Sequence, residues 1–427
     1  MKTLHLTNAW HPRSGGIGTF YRALLEAGNR EGHEIRLVVP GDCTSVEDVG
    51  EFGRIYTIVA PRAPLSRDYR ILYPYRFLFP NTAIQRIINH ERPDLIEISE
   101  KYTMPYLAGL LRTARLPGVN VHPTVVGLSC ERMDENVAAY VTRSRIGEHF
   151  SRLYMKWIYF PMFDHHIAVS EHTAGELIPA SRGHRVRRGV WVLPMGVDTD
   201  RFTPHKRTPQ DRAGLLRSLD KFDDATVLLY AGRLAPEKNL TLLIETMEQL
   251  RGENCHLVIA GDGIERGPLE QRCSQERLPV NFLGHISDPD KLALLFANAD
   301  IFLHPNPREP FGIAPLESMA AGLALVAPNT GGLTSYANSG NAWLTQPTPG
   351  AFASQVRAIC MNPELRARKT ACARQTALQY QWPAVTRQFL SLYHEFHAAS
   401  RDKHFVLARP ARTYSTPGDL FGREIRL

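Results

Sequence analysis

Four charged side chains in the carboxyl half of the chain have types and spacing suited to phosphate and sugar chemistry. Arg233 and Lys238 occur in Gly232-Arg233-Leu234-Ala235-Pro236-Glu237-Lys238-Asn239, directly after an apolar run. Two cations delivered at the end of a strand can clamp a diphosphate, the guanidinium as a fork and the ammonium as a point charge. Further on, Glu309 and Glu317 bracket the stretch Pro310-Phe311-Gly312-Ile313-Ala314-Pro315-Leu316, which follows the strand-like run 299–303. Strand, glycine-containing turn and helix start is the order that offers free backbone N–H groups and the positive end of a helix to an anion. Glu309 is expected in the loop beside that anion and Glu317 about two turns into the helix. Carboxylates repel phosphate, so both need other partners, and sugar hydroxyls are the natural ones. The pattern points to a pocket for a sugar joined to phosphate. A plainer reading exists for each piece: acids near a helix start complement its dipole or cap it, and Arg233 with Lys238 is solvated surface charge. It covers one glutamate but leaves an apolar Pro-Phe-Gly turn between two of them without a reason.

These residues need strands and helices to hold them. Short apolar runs alternate with longer helical patterns, which predicts parallel sheets with crossover helices. In the first half, strands are expected at 3–7, 35–39, 95–98, 123–128, 165–169 and 190–193. The first runs into Ser14-Gly15-Gly16-Ile17-Gly18 and a helix over 19–28. The pattern restarts at 226–233, followed by a helix over 240–250, a strand at 256–260 and the turn Gly261-Asp262-Gly263. A strand at 280–284, a helix over 289–297 and a strand at 301–303 complete it. The fold class is therefore α/β with two Rossmann-like domains, joined by the polar stretch 198–224. In open sheets of this kind ligands bind beyond the carboxyl ends of the strands. The Gly15-Gly16-Ile17-Gly18 turn lets backbone approach a phosphate closely, but it lacks the G-x-G-x-x-G spacing of a dinucleotide site. The pattern is helical from 351 and ends in a basic, proline-containing stretch read as a loosely ordered tail.

Composition sets bounds. At 427 residues the chain should form two domains. A net charge of +7 is mild and does not call for nucleic acid. No apolar run approaches the ~20 residues of a membrane span, and the N-terminus enters a strand directly, without the pattern of a signal peptide. The six cysteines show no C-x-x-C pairing; scattered thiols of this kind suit a reducing cytoplasm rather than a disulfide frame or zinc site.

Gly232-Arg233 with Lys238, Gly261-Asp262-Gly263, and Glu309 and Glu317 around Pro310-Phe311-Gly312 closely resemble the retaining nucleotide-sugar glycosyltransferases of family 4. The resemblance covers nearly the whole chain, including the Gly15-Gly16-Ile17-Gly18 turn, Val169-Ser170-Glu171 and Pro194-Met195-Gly196-Val197-Asp198. It implies the GT-B fold, two Rossmann-like domains facing each other across a cleft. It also implies an acceptor-side domain over 1–197, a donor domain over 198–380, a helix over 381–400 packing back on the first domain, and a tail over 401–427.

The resemblance further implies residue roles. Arg233 and Lys238 would bind the donor diphosphate and stabilise its developing charge. Glu309 would hold hydroxyls of the donor sugar, with Phe311, Gly312 and Ile313 presenting backbone N–H groups. Glu317 would take the ribose, Asp262 and Ile286 would lie along the nucleoside, and Gly16 would close over the phosphates. No cofactor or metal is implied; the leaving phosphate itself helps deprotonate the acceptor. No carboxylate pair is placed as in a glycosidase, so the barrier falls to charges arranged around the departing diphosphate. Family members commonly carry a histidine after the fourth strand of the first domain, near the sugar's reactive carbon. Here that segment reads Ser129-Cys130-Glu131-Arg132-Met133-Asp134, so Cys130, or Ser129, takes its place. His11, beside the glycine turn, is a second candidate for contact with acceptor or phosphate.

The Arg13-Ser14-Gly15-Gly16 turn and the 129–134 run look most similar to bacterial GDP-mannose-dependent α-mannosyltransferases. The expected reaction is hexose transfer, with mannose favoured, from a nucleotide sugar to a hydroxyl of a lipid or growing glycan. Two alternatives stay open: a UDP-sugar epimerase on the same fold, and a non-catalytic nucleotide-sugar-binding protein.

Three features weigh less. Asp198-Thr199-Asp200 spells a metal-holding D-x-D, but its place at the start of the linker favours a turn. His165-His166 is read as packing or capping. The stretches 67–79 and 143–163 mix basic and aromatic residues, a composition that suits peripheral contact with an anionic membrane and equally the cationic rim of core-packed helices.

Overall fold

Apolar runs too short for helices, each followed by a polar turn and an amphipathic segment, fold here into two parallel sheets. The structure is a computed structural model, and it describes residues 1–11, 15–63, 66–140, 145–184, 189–219, 225–401 and 423–424. Arg13, Ser14, the start of the 143–163 stretch and nearly all of the tail lie outside the described residues. The chain divides into two units, one of Met1–Met195 with Trp382–Leu427 and one of Gly196–Gln381. The expected class, α/β with Rossmann-like domains, is what the sheets show.

The first unit contains β1 (Lys2–Leu6), β2 (Glu34–Gly41), β3 (Ser45–Val49), β4 (Gly53–Val59), a small hairpin of β5 (Arg62–Ala63) and β6 (Ser66–Arg70), β7 (Leu95–Ile98), β8 (Thr124–Ser129), β9 (His165–Ala168) and β10 (Val190–Val192). A short β17 (Arg423–Glu424) pairs antiparallel with β10. The sheet order is β17-β10-β9-β8-β7-β1-β2-β4-β3, parallel except at β3 and β17. Sequence reading placed no strand between β2 and β7. β3 is an edge strand whose side chains are nearly all exposed, so it carries no buried apolar face to reveal it. The segment carrying Cys130, counted fourth from the sequence, therefore follows the eighth strand. The helix Trp382–Arg401 closes this unit: Phe389 packs 4.8 Å from the Phe20 ring and Phe396 stacks 4.1 Å from His165.

The second unit holds β11 (Thr226–Ala231), β12 (Cys255–Ala260), β13 (Val280–Gly284), β14 (Ile301–Leu303), β15 (Ala324–Pro328) and β16 (Trp343–Thr345). They run in the order β13-β12-β11-β14-β15-β16, all parallel. This is the doubly wound order, and its direction reverses between β11 and β14. Asp300 fixes that junction. Its buried carboxylate accepts from the Val227 amide (2.9 Å), Arg212 (2.6 Å), Arg207 (3.0 Å) and Arg366 (3.2 Å). Burial alone would raise its pKa, but these donors outweigh it and hold the group below the usual range. The loops leaving β11 and β14 are thereby set side by side.

Candidate active site at the sheet switch point

The β11 loop carries Gly232, Arg233 and Lys238; the β14 loop carries His304, Asn306 and Glu309. Asn239, held at φ 58°, donates from Nδ2 to Pro305 O at 3.2 Å and stitches the loops together. Lys238 Nζ lies 2.8 Å from Glu309 Oε2. Asn306 Nδ2 donates to the same oxygen at 3.0 Å, and His304 Nε2 stands 3.7 Å from it. Burial opposes ionisation of Glu309, yet Lys238 and His304 overcome it and set its pKa at about 2. Burial drives His304 down to about 4, leaving its ring neutral near pH 7. The site thus keeps an ionised, largely buried acceptor beside an ammonium.

A second layer buttresses Glu309. Its carbonyl accepts from the Gly332 amide at 2.6 Å. At Gly331 a Cβ would sit 3.0 Å from Pro307 O and 3.2 Å from Glu309 N, so this close approach requires glycine. The loop after β15 therefore holds the Glu309 loop from behind.

Gly312, at φ 90°, turns the chain into the helix Ile313–Ala320. That start corrects the placement of Glu317, which is the fifth helical residue and so just past one turn rather than two, because Pro310 and Phe311 remain in the loop. Phe311 is buried, its ring 5.1 Å from that of Tyr336, whose hydroxyl donates to Gly312 O at 2.5 Å. Its side chain fixes the turn, while the first-turn amides of Ile313 and Ala314 have no carbonyl a turn earlier to bond. Burial pushes Glu317 up to about 7, with Asp198 adding to the rise and Arg201 opposing it.

Arg233 is half-exposed and paired with Glu237 four residues on. Its carbonyl accepts from the Tyr230 hydroxyl at 3.1 Å, and that hydroxyl feels the charges of Glu309, Glu237, Arg233 and Glu265 together. Tyr336 in turn feels both Glu309 and Glu317. Of the four charged residues read from the sequence, Lys238 and Glu309 are in direct contact, Arg233 shares the loop of Lys238, and Glu317 lies on the helix that follows the Glu309 loop. Alongside, Gly232 N donates to Ala260 O (3.0 Å) and Leu234 N to Asp262 O (2.9 Å). A Cβ at Gly261 would lie 1.8 Å from Gly232 O, and one at Gly263 2.2 Å from Leu234 O. These glycines let the β12 loop lie against the β11 loop and place Asp262 beside it. Ile286 is partly exposed, just beyond β13.

In the first unit, Gly16 opens the exposed start of the helix Gly16–Glu31. His11 packs edge-on against Tyr69 at 4.5 Å and, with Trp10, Arg22, Asp42 and Arg70, lines a cavity of about 380 Å³ at the carboxyl ends of β1 and β2. Cys130 follows β8; burial pushes its thiol well above the ordinary range, with Glu97 and Glu131 adding to the effect. It is a neutral thiol, unsuited to nucleophilic attack. Lys101, almost wholly buried, steadies its loop through Glu176 Oε2 (2.6 Å) and the Glu131 carbonyl.

The features given less weight are engaged elsewhere. Asp198 accepts from the Arg201 amide at 2.9 Å and pairs with its guanidinium at 3.0 Å, as a turn residue would. His165 lies under Phe396, and His166 contacts Phe160 O at 3.0 Å. Among the described residues no three His, Cys, Asp or Glu side chains gather as a metal site, and no helix is long and apolar enough to cross a membrane. Sequence reading missed Asn306, His304, Tyr336 and the Gly331-Gly332 turn. The last left a signal, a glycine pair shortly after the unassigned apolar run that forms β15.

Comparison with known proteins follows the same division. The model described as Glycosyltransferase Family 4 matches residues 14–201, and that described as Glycosyl transferases group 1 matches 211–376. The chain is 30% identical over 396 residues to a GDP-mannose-dependent alpha-(1-6)-phosphatidylinositol dimannoside mannosyltransferase of Mycobacterium tuberculosis, covering 92% of this chain and 95% of the relative. A GDP-mannose-dependent alpha-mannosyltransferase of Corynebacterium glutamicum is 25% identical over 346 residues, covering 80% and 75%. In fold it resembles sucrose-phosphate synthase from Thermosynechococcus elongatus, with a TM-score of 0.75 at 20% identity, covering 93% of this chain and all of that one. Anabaena HepE, solved with UDP and glucose, gives 0.66 at 20% identity, covering 92% and 99%.

Proposed function

The chain belongs to glycosyltransferase family 4, and we propose that it transfers mannose from GDP-mannose to a hydroxyl of a membrane glycolipid or growing glycan, with retention and without a metal ion. The observation that carries this reading is the Lys238–Glu309 pair at the switch point. Glu309, ionised and buried, is built to accept hydrogen bonds from sugar hydroxyls. Lys238, beside it, shares its charge with the diphosphate when the donor arrives, and Arg233 adds a fork of donors from the same loop. The first-turn amides of the Ile313–Ala320 helix face the same anion.

As the bond from the sugar's anomeric carbon to phosphate lengthens, negative charge grows on the diphosphate, and Arg233 and Lys238 stabilise it without reorganising. The acceptor oxygen forms its bond on the face the phosphate leaves, and its proton passes to a phosphate oxygen. Glu317 holds the ribose, and Asp262 with Ile286 flanks the nucleoside. Gly16 is assigned to the donor phosphates, Cys130 and His11 to the donor sugar or acceptor, and the cavity beside Trp10 suits a polar head of the acceptor. Free thiols at all six cysteines fit work in a reducing cytoplasm, with peripheral contact to the inner membrane face.

Mannose and guanosine are taken from the relatives' activities, as is the glycolipid acceptor. The test is to incubate the purified protein with GDP-mannose, UDP-glucose or UDP-GlcNAc and a phosphatidylinositol mannoside, then analyse lipids by mass spectrometry. Hexose addition from GDP-mannose, unchanged in EDTA, is expected. Transfer from a UDP-sugar instead would reassign the donor, EDTA loss restored by Mn²⁺ would overturn metal independence, and no transfer from any donor would overturn the reading.

A further inference from the structure

The helix Arg145–Tyr154 and the π-turn Met155–Tyr159 that continues it present two apolar faces, and only one is used by the core. Tyr154, Met155 and Tyr159 are buried in the first unit's core, and the Tyr154 hydroxyl donates to Lys101 O at 2.7 Å. On the side away from Met155 and Tyr159, Ile146 is 81% exposed, Phe150 61%, Leu153 44% and Trp157 63%. At about 100° per residue these four positions fall within an arc of about 60°, so they form one stripe rather than scattered surface residues.

A basic group borders the stripe: Lys156 Nζ stands 5.0 Å over the Trp157 ring. Arg152, further round the helix, is exposed and pairs with Glu148 at 3.8 Å. A second cluster lies in the same unit. Tyr75, Leu78 and Phe79 are exposed, with Arg76 over the Tyr75 ring at 5.0 Å. Thr103, which donates to Leu72 O at 3.0 Å, ties that segment to exposed Tyr102 and Tyr106, and Tyr106 neighbours Tyr154.

We infer that the Ile146–Phe150–Leu153–Trp157 stripe enters the interface of an anionic bilayer, with Lys156 reaching its headgroups. The chemistry favours lipid over a second protein. The apolar side chains include tryptophan, a residue of the membrane–water boundary. The long cationic side chain of Lys156 at the border can keep its charge among phosphates while its stem lies on apolar surface, and the chain is cationic overall. This deepens the reading of a membrane glycolipid acceptor: it names the surface that would bring the first unit to that acceptor.

The test uses the full chain without donor or acceptor, so it reads the surface independently of transfer. Sedimentation with phosphatidylcholine vesicles, with and without phosphatidylglycerol, is compared for the wild type and the double variant Phe150→Glu, Trp157→Glu. Wild type should pellet with anionic vesicles and release in high salt, and the variant should bind at least about tenfold more weakly. A thermal melt and GDP binding like wild type would show that the variant is folded. Wild type indifferent to anionic lipid, a folded variant that pellets equally, or a stripe that proves to be a dimer contact by analytical ultracentrifugation would each overturn the inference. Loss of vesicle binding with transfer to a water-soluble acceptor intact separates this face from the donor site.

Discussion

Lys238 and Glu309 are 71 residues apart in sequence and 2.8 Å apart in space, each delivered by the loop that leaves one of the two strands flanking the sheet's reversal. Neither residue is placed by its own neighbours. The parallel pairing of β11 with β14, locked by Asp300, brings them together.

If that ammonium stabilises charge developing on the diphosphate, removing it should act mainly on the chemical step. Lys238→Met is expected to lower kcat by about 10²–10³-fold with a smaller change in donor KM. Lys238→Arg should restore part of the loss. Steady-state kinetics with varied donor separate the two effects; a rise in KM at unchanged kcat would reduce Lys238 to a ground-state contact.

The same pair sets an acid limit on stability. Glu309 is held at about 2, below its ordinary value near 4.5, so its ionised form favours the folded state. That contribution is complete above about pH 4.5 and is lost as pH falls towards 2. Glu309→Gln should therefore be less stable than wild type at neutral pH by roughly 2–3 kcal/mol, with the gap closing in acid. Urea titrations across that range check it; a gap independent of pH would contradict it.

How much of this could be read from residues alone follows from what short-range pattern encodes. The β11 and β14 loops were legible because an apolar run followed by glycine and charge survives in linear sequence. So was the glycine pair at 261 and 263, although the reason for it, backbone packed against Gly232 and Leu234, appears only in three dimensions. Asn306 and His304 gave no sign, since their partner is fixed by the fold of one loop. Tyr336 gave none because its partner, Gly312, lies 24 residues back. The edge strand β3 was invisible for the opposite reason, having no buried face to impose alternation. The helix start at Ile313 was misjudged because a left-handed Gly312 looks the same in sequence as one inside a turn.

Glu317 gives donor binding a pH dependence of its own. Burial raises it to about 7, so near neutrality only part of the population carries the carboxylate that would accept ribose hydroxyls in the proposed function. Its neutral form favours the folded apoprotein, a contribution complete below about pH 4.5 and lost as pH rises through 7. Donor affinity should therefore increase between about pH 6 and pH 8 as a proton is released. In Glu317→Gln that slope should flatten. Calorimetry in buffers of different ionisation enthalpy reads the proton directly; equal slopes in both proteins would contradict the assignment.

The resemblance implies that Cys130 stands where family members commonly carry a histidine; the residue is only partly exposed, and burial pushes its thiol well above the ordinary range. The backbone at this position, steadied by Lys101 and Glu176, is what the reaction is expected to use. Cys130→Ala should keep transfer within about threefold of wild type, whereas Lys101→Met, which frees the loop, should lower it by about tenfold or more. A Cys130→Ala enzyme without activity, folded by its thermal melt, would show that the side chain itself is required.

The most direct test of the donor pocket is isothermal titration of GDP and of guanosine into wild type and the Arg233→Ala, Lys238→Ala double variant. Two charge-assisted contacts to the diphosphate should make GDP binding weaker by about 100-fold or more in the variant, while guanosine binding stays the same. A double variant that binds GDP as tightly as wild type would place the diphosphate elsewhere and contradict the site.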